Sequence, residues 1–255
     1  MTLLRDIIAC LEEAAPSSLA EEWDNVGLLV GDKNAEVKRI LLCMDITTGS
    51  VREAVSKKAD LIISHHPVLF KSVKRIVAGE GKGSLIHEII KNNINVFAAH
   101  TNLDYAENGV NTRLAEVIGL KDCVVLGNGP GRVGVIDRAM SLDEFARKVK
   151  SILVAPAVRV IGEPEKEVRR IAVFSGSFDN NINDVLASGA DVLVTGDVKY
   201  HTALDAAEEG LCIIDAGHFY TEKIVLKPVA ESLRLKFSDV EVFLFEGEKD
   251  PFRTI

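Results

Sequence analysis

The chain has 255 residues, 47% hydrophobic and 27% charged, with a formal net charge of −8 and a pI near 5.4. That length and apolar content can bury a full core in one large domain or two lobes, and no apolar run is long enough to span a membrane. The acidic balance argues against a broad nucleic-acid surface, and the four cysteines, scattered without C-x-x-C spacing, are expected to be structural thiols of a cytoplasmic protein.

In chain order, Met1-Thr2-Leu3-Leu4-Arg5-Asp6 leads into an amphipathic helix carrying Asp6, Glu12 and Glu13, without the apolar core of a signal peptide. Turn chemistry follows at Trp23-Asp24-Asn25-Val26-Gly27, where Asp24 and Asn25 read equally as pocket-lining residues or as an Asx turn. A strand is predicted over roughly 39–45, a helix over 48–58 and a second strand over 60–64, which runs straight into His65-His66-Pro67. Imidazole is the commonest side-chain metal ligand, and the carboxyl ends of strands are where open α/β sheets place ligands. The Lys- and Gly-rich segment from Lys71 to Ser84, with Lys71, Lys74, Arg75 and Lys82, reads as a solvated inserted loop. His87 falls inside a helix over 84–92 and is assigned a surface or packing role. A third strand, Ile94 to Ala99, is followed by His100-x-x-x-Asp104.

The second half repeats the first. Glu167-Val168-Arg169-Arg170-Ile171 matches Glu36-Val37-Lys38-Arg39-Ile40 at an offset of 131, and the register runs without a gap until Ala190-Asp191-Val192-Leu193-Val194-Thr195 stands opposite Ala59-Asp60-Leu61-Ile62-Ile63-Ser64. The corresponding strand, helix and strand are predicted at 170–175, 179–188 and 191–195. A third strand at 211–216 follows with the offset at 118, and His218-x-x-x-Glu222 answers His100-x-x-x-Asp104. Spaced four apart on a helix, His218 and Glu222 share one face. The expected fold is α/β: two duplicated, pseudo-twofold related lobes with parallel sheets, residues 1–125 and 126–255, with a metal site between them; Gly127-Asn128-Gly129-Pro130-Gly131 is the turn-rich element of the segment between the two copies.

Five of the six histidines, His65, His66, His100, His201 and His218, sit at a strand's carboxyl end or at the helix start beyond it. Together with Asp104 and Glu222 they offer more donors than one open zinc site uses, and they suit a pair of divalent cations bridged by a carboxylate. Nitrogen and oxygen donors without thiolate accommodate Zn, Fe, Mn, Co or Ni. Gly196-Asp197-Val198-Lys199-Tyr200-His201 occupies the place of His65-His66 in the second copy. Its Asp197, Lys199 and His201 read either as substrate-contacting and proton-moving groups or as a capped helix start. Ser175-Gly176-Ser177 lacks the spacing of a phosphate-binding loop and is assigned no nucleotide.

In combination, Glu22-Trp23-Asp24-Asn25-Val26-Gly27-Leu28, Ser64-His65-His66-Pro67, His100-Thr101-Asn102-Leu103-Asp104, Thr195-Gly196-Asp197-Val198-Lys199-Tyr200-His201 and Gly217-His218-x-x-x-Glu222 resemble the Nif-three-like family. Its members are often named GTP cyclohydrolase 1 type 2 homologues, and the chain resembles the short form without an inserted domain. The resemblance implies a dinuclear metal site made by His65, His66, Asp104, His218 and Glu222, with Glu222 as the bridge. It makes His100 and His201 supporting or substrate-facing groups, and it implies a ring-shaped homohexamer whose sites open on an internal cavity. The expected function is metal-dependent hydrolysis of a small nucleotide-like or phosphorylated molecule, GTP cyclohydrolase-like by family name. The alternative is a non-enzymatic metal-binding or protein-interaction factor. Neither a membrane nor a nucleic acid is an expected partner.

Overall fold

The apolar runs of both halves become buried strands. The computed structural model describes residues 1–178 and 182–253. Its elements run α1 (Leu4–Ala14), β1 (Gly27–Val30), β2 (Arg39–Cys43), α2 (Thr48–Lys57), β3 (Leu61–Ser64), α3 (Gly81–Lys91), β4 (Asn95–Ala98), α4 (Thr101–Tyr105), α5 (Val110–Ile118), β5 (Lys121–Val125), β6 (Arg132–Ser141), α6 (Leu142–Leu153), β7 (Arg159–Ile161), β8 (Glu167–Ser177), α7 (Ile182–Ala187), β9 (Val192–Gly196), α8 (Tyr200–Glu208), β10 (Cys212–Asp215), α9 (His218–Glu222), α10 (Leu226–Lys236) and β11 (Glu241–Leu244). The first residues of the helix expected over 179–188, at 179–181, lie outside the described residues. No helix among the described residues is long and apolar enough to cross a membrane.

Two compact units result: Met1–Ala106 with Val225–Lys249, and Glu107–Ile224 with Asp250–Ile255. This division differs from 1–125 and 126–255 for a packing reason. Leu114, Ala115, Ile118 and Leu120 join the core formed by Phe145, Ile171, Val192 and Ile214, which takes α5 and β5 into the second unit. In the opposite direction, α10 and β11 return to the first, where Ala230, Leu233, Val240 and Val242 pack against Ile40, Leu61 and Phe97.

The first unit holds a five-stranded sheet in the order β1-β4-β3-β2-β11, and the second a six-stranded sheet in the order β5-β6-β8-β9-β10-β7. Neither is purely parallel, in contrast to the expectation. β2, β3, β4 and β11 run parallel while β1 is antiparallel to β4; β8, β9 and β10 run parallel while β6 and β7 are antiparallel to their neighbours. Antiparallel partners need no crossover helix, and the glycine-rich turn after β5, which lies between the two copies, closes a hairpin with β6. Strand residues alternate between faces with a period of two. Ile40, Leu42, Leu61 and Ile63 face α1 and α10, whereas Leu41, Cys43, Ile62 and Val96 face α2 and α3.

The repeat survives at the level of hydrogen bonds. Ile40, Leu41 and Leu42 pair with Leu61, Ile62 and Ile63, and 131 residues on, Ile171, Ala172 and Val173 pair with Val192, Leu193 and Val194. Asp60 accepts the backbone N–H groups of Lys38 and Arg39, as Asp191 accepts those of Arg169 and Arg170. The third strands differ by 117 rather than 118, since Leu61 is opposite Asn95 and Val192 is opposite Cys212. The extra residue before His218 is Gly217, at φ +85°, a conformation that glycine adopts without cost.

Candidate metal centre

In the first unit, the carboxyl ends of β3 and β4 present three imidazoles. His65 and His66 extend β3, their N–H groups donating to the carbonyls of Cys43 and Met44, and His100 stands at the start of α4. Each of these residues brings a ring nitrogen within 4.8 Å of the others'. The His65 side chain is fully buried, with Nε2 at 3.7 Å from Oδ1 of Asp104. The structure thus brings together His65, His66 and Asp104, and adds His100 to them as a third imidazole of the same cluster.

What lies behind each ring orients it. His65 Nδ1 is 2.8 Å from the carbonyl oxygen of Ala99, which can only accept, so Nδ1 carries a proton. His66 Nδ1 is 3.0 Å from Asp45, and His100 Nδ1 is 2.9 Å from Asp24. Burial works against ionisation of Asp24. Hydrogen bonds from the His100 ring, from Thr101 and from the Asn25 N–H nonetheless hold its carboxyl well below the usual range, so it is an acceptor for His100 at any physiological pH. Asp24 orients a ring of the cluster, and its side chain accepts from the Asn25 N–H, one residue on and not the two of an Asx turn.

The second unit offers its own pair. His218 and Glu222 lie one turn apart on α9, with Nε2 and Oε2 separated by 3.0 Å, and His218 Nδ1 is 2.9 Å from Asp197. Glu222 is buried because Gly176, at φ +68°, leaves it room: a Cβ there would stand 2.1 Å from Glu222 Oε1. Asp197 takes the left-handed region despite its side chain, at φ +51°, and Lys199 rather than Asp197 is the N-cap of α8. His201 is exposed on the first turn of α8, its ring edge-on to Tyr200. His87 lies half-buried on α3 next to Glu88, in keeping with a packing role. Lys71, Lys74, Arg75 and Lys82 are exposed, Lys82 on the first turn of α3.

Four histidines in two units therefore share one arrangement, with Nδ1 held against an oxygen acceptor, so that Nε2 is the ring nitrogen that would ligate a cation. Ligating histidines are oriented in this way, by a carboxylate or carbonyl behind the ring. The donor set fits a divalent cation of the zinc-to-nickel range, with imidazole nitrogens and carboxylates and no thiolate within the cluster. Asp45 and Gly176 were not legible as parts of the site. Asp45 is an acid two residues beyond a strand with no pattern of its own, and Gly176 acts through the side chain it lacks.

A model of the Duf34/NIF3 family, NGG1p interacting factor 3, matches residues 2–251. The chain belongs to that family. A Clostridium perfringens protein named GTP cyclohydrolase 1 type 2 homolog is 37% identical over 260 residues, covering 99% of both chains. Among solved structures, a Staphylococcus aureus hypothetical protein superposes with a TM-score of 0.93 at 33% identity, over 99% of each chain. A Bacillus cereus protein described as related to NIF3 gives 0.94 at 28% identity, over 100% of this chain and 99% of its own. The family's fold, a mixed α/β chain with two sheets, is that of this protein.

Proposed function

We propose that the chain is a metal-dependent hydrolase that holds two divalent cations through His65, His66, Asp104, His218 and Glu222, and acts on a small nucleotide-like or phosphorylated molecule. The observation that carries this reading is the shared arrangement of the imidazoles, each with an oxygen acceptor behind Nδ1. When bound, such cations supply Lewis acidity, which lowers the pKa of water and neutralises charge on a substrate. The protein's own contribution is to aim the donors. Ala99, Asp45 and Asp197 hold three rings in one tautomer, and Gly176 clears the space for the Glu222 carboxylate. His100, oriented by Asp24, adds a donor beside His65 and His66; His201 is assigned to contact with the substrate. The name shared by the relatives points to a GTP cyclohydrolase-like reaction, and the same reading includes a cytoplasmic homohexamer.

Elemental analysis of protein purified without chelator tests the ligand set, with about two ions per chain expected. His65→Ala, Asp104→Ala and Glu222→Gln should each lower that content while leaving the circular dichroism unchanged. Turnover of a nucleotide and phosphoester panel should fall with the metal. Stoichiometric metal without turnover of any substrate would instead favour a metal-binding or protein-interaction factor, and a monodisperse monomer in light scattering would remove the hexamer.

A further inference from the structure

Beside the imidazole cluster of the first unit, two large aromatic side chains are held out in solvent. Trp23 is 62% exposed and Phe70 is 46% exposed. Their ring centroids are 5.8 Å apart with the planes at 85°, and both stand edge-on to His100, at 6.2 Å and 6.1 Å. Three rings, each nearly perpendicular to the other two, form a corner whose third wall is part of the metal cluster. Separations of 4.5–7 Å are those of favourable edge-to-face packing, so the rings support one another while leaving indole and phenyl surface uncovered.

The chain fixes this exposure on both sides. The Glu21 N–H donates to Thr101 Oγ1 and the Asp24 N–H to the carbonyl of Glu21, while Asp24 is clamped by Thr101 and His100. Asn25 Nδ2 donates at 2.8 Å to the carbonyl of Leu69, which ties the Trp23 turn to the residue before Phe70. An indole anchored at the residues around it, yet left in water, is pre-organised for contact, because little conformational freedom remains to be lost when a ligand covers it.

We propose that Trp23 and Phe70 form the recognition surface for a planar unsaturated ring of the substrate, which stacks on the indole or phenyl face while its reacting part faces the imidazoles. This deepens the hydrolase reading and rests on it for the identity of the neighbouring chemistry. It assigns to Trp23 and Phe70 a specificity role, discrimination between ring-bearing molecules and their ring-free counterparts.

Trp23 is the sole tryptophan of the chain, so intrinsic fluorescence reports on this surface directly. The metal-loaded protein is titrated with guanosine, adenosine and cytidine 5′-monophosphates and nicotinamide mononucleotide, and separately with ribose 5-phosphate, which keeps the sugar phosphate and lacks the ring. At least one ring-bearing probe should quench the tryptophan and bind about tenfold or more tighter than ribose 5-phosphate. Calorimetry on Trp23→Ala and Phe70→Ala should show that ratio collapsing towards one, with Trp23→Phe restoring part of it and metal content unchanged in all three. If every ring-bearing probe binds no better than ribose 5-phosphate, or the preference survives both alanine variants, the proposal is overturned. It is equally overturned if either alanine variant dissociates the protein in light scattering, since the rings would then pack between copies. A protein that carries no metal yet prefers ring-bearing probes would defeat the hydrolase reading alone.

Discussion

Glycine at position 176 and glutamate at position 248 show how far residues outside the ligand set control it. A Cβ at Gly176 would meet Glu222 Oε1 at 2.1 Å, and the backbone there is left-handed at φ +68°. Gly176→Ala must therefore push the Glu222 carboxylate aside, and we expect roughly 10–100-fold weaker metal affinity by competition with a chromophoric chelator, as for other changes immediately behind a ligand. An unchanged affinity would mean that Glu222 is not aimed by this contact. Glu248 accepts the Met44 and Asp45 N–H groups, at 2.5 and 3.2 Å, just ahead of the His66 support. Burial pushes its pKa from an ordinary 4.5 up to about 7; the two backbone hydrogen bonds and the charge of His66 lower it, and the charge of Asp45 raises it further. A raised folded-state value means that folding takes up a proton, so the stability it contributes is fully present below about 4.5 and lost as the pH rises through about 7. Glu248→Gln, neutral throughout, should gain stability over wild type between pH 5 and pH 8 in metal-free protein. At roughly 1.4 kcal/mol per pH unit the ceiling is about 3 kcal/mol, and solvent at the half-exposed side chain brings the expected gain to about 1–2 kcal/mol. Urea unfolding at the two pH values measures it, and a constant difference would refute the assignment.

At the level of elements, the same hydrogen bonds recur 131 residues apart. Asp60 and Asp191 each sit before a buried strand and accept two N–H groups from the start of its neighbour, so each carboxylate pins the register of one parallel pair. A slip of one residue would turn every apolar side chain to the other face, which is why such a pin is worth having. Asp60→Ala and Asp191→Ala should each cost about 1–3 kcal/mol in denaturant unfolding, with the Asn variants, which keep an acceptor, costing less. If only one of the pair matters, the hydrogen-bond repeat has no energetic counterpart. These parallel strands were legible in the sequence because they are buried on both faces and carry continuous apolar runs, and His65 and His66 were legible because they follow one of them directly. The antiparallel edges were not. β7 is only three residues long, and all five residues of β5 are exposed, Cys123 among them, so neither shows the alternation of a half-buried strand. His100 was placed correctly at a strand end, but its membership of the three-ring cluster depends on the distance between β3 and β4 residues, which spacing along the chain does not encode.

For the molecule as a whole, the chain's path matters more than its halves. The first unit is not closed by its own amino-terminal segment. β11 covers the outer edge of β2, from Arg39 to Leu42, and Ala230 and Leu233 of α10 lie in the core with Ile7 and Phe97. The second unit, by contrast, draws both of its cores entirely from within 107–224, from Leu114 to Ala216 in one and from Leu126 to Ile213 in the other. A pairing partner that arrives from about 200 residues away carries no local signal, and this is why a division into consecutive halves was the natural reading of the repeat. The asymmetry makes a prediction about fragments. Residues 107–224 should unfold cooperatively on their own, with a single denaturant transition, because no buried strand of that sheet loses a neighbour. Residues 1–106 should not, since they expose the β2 edge and lose the α10 face of their core. Adding back residues 225–249 as a separate chain should restore a cooperative transition to the fragment 1–106. Cooperative folding of 1–106 alone would show that the returning segment decorates the first unit instead of completing it.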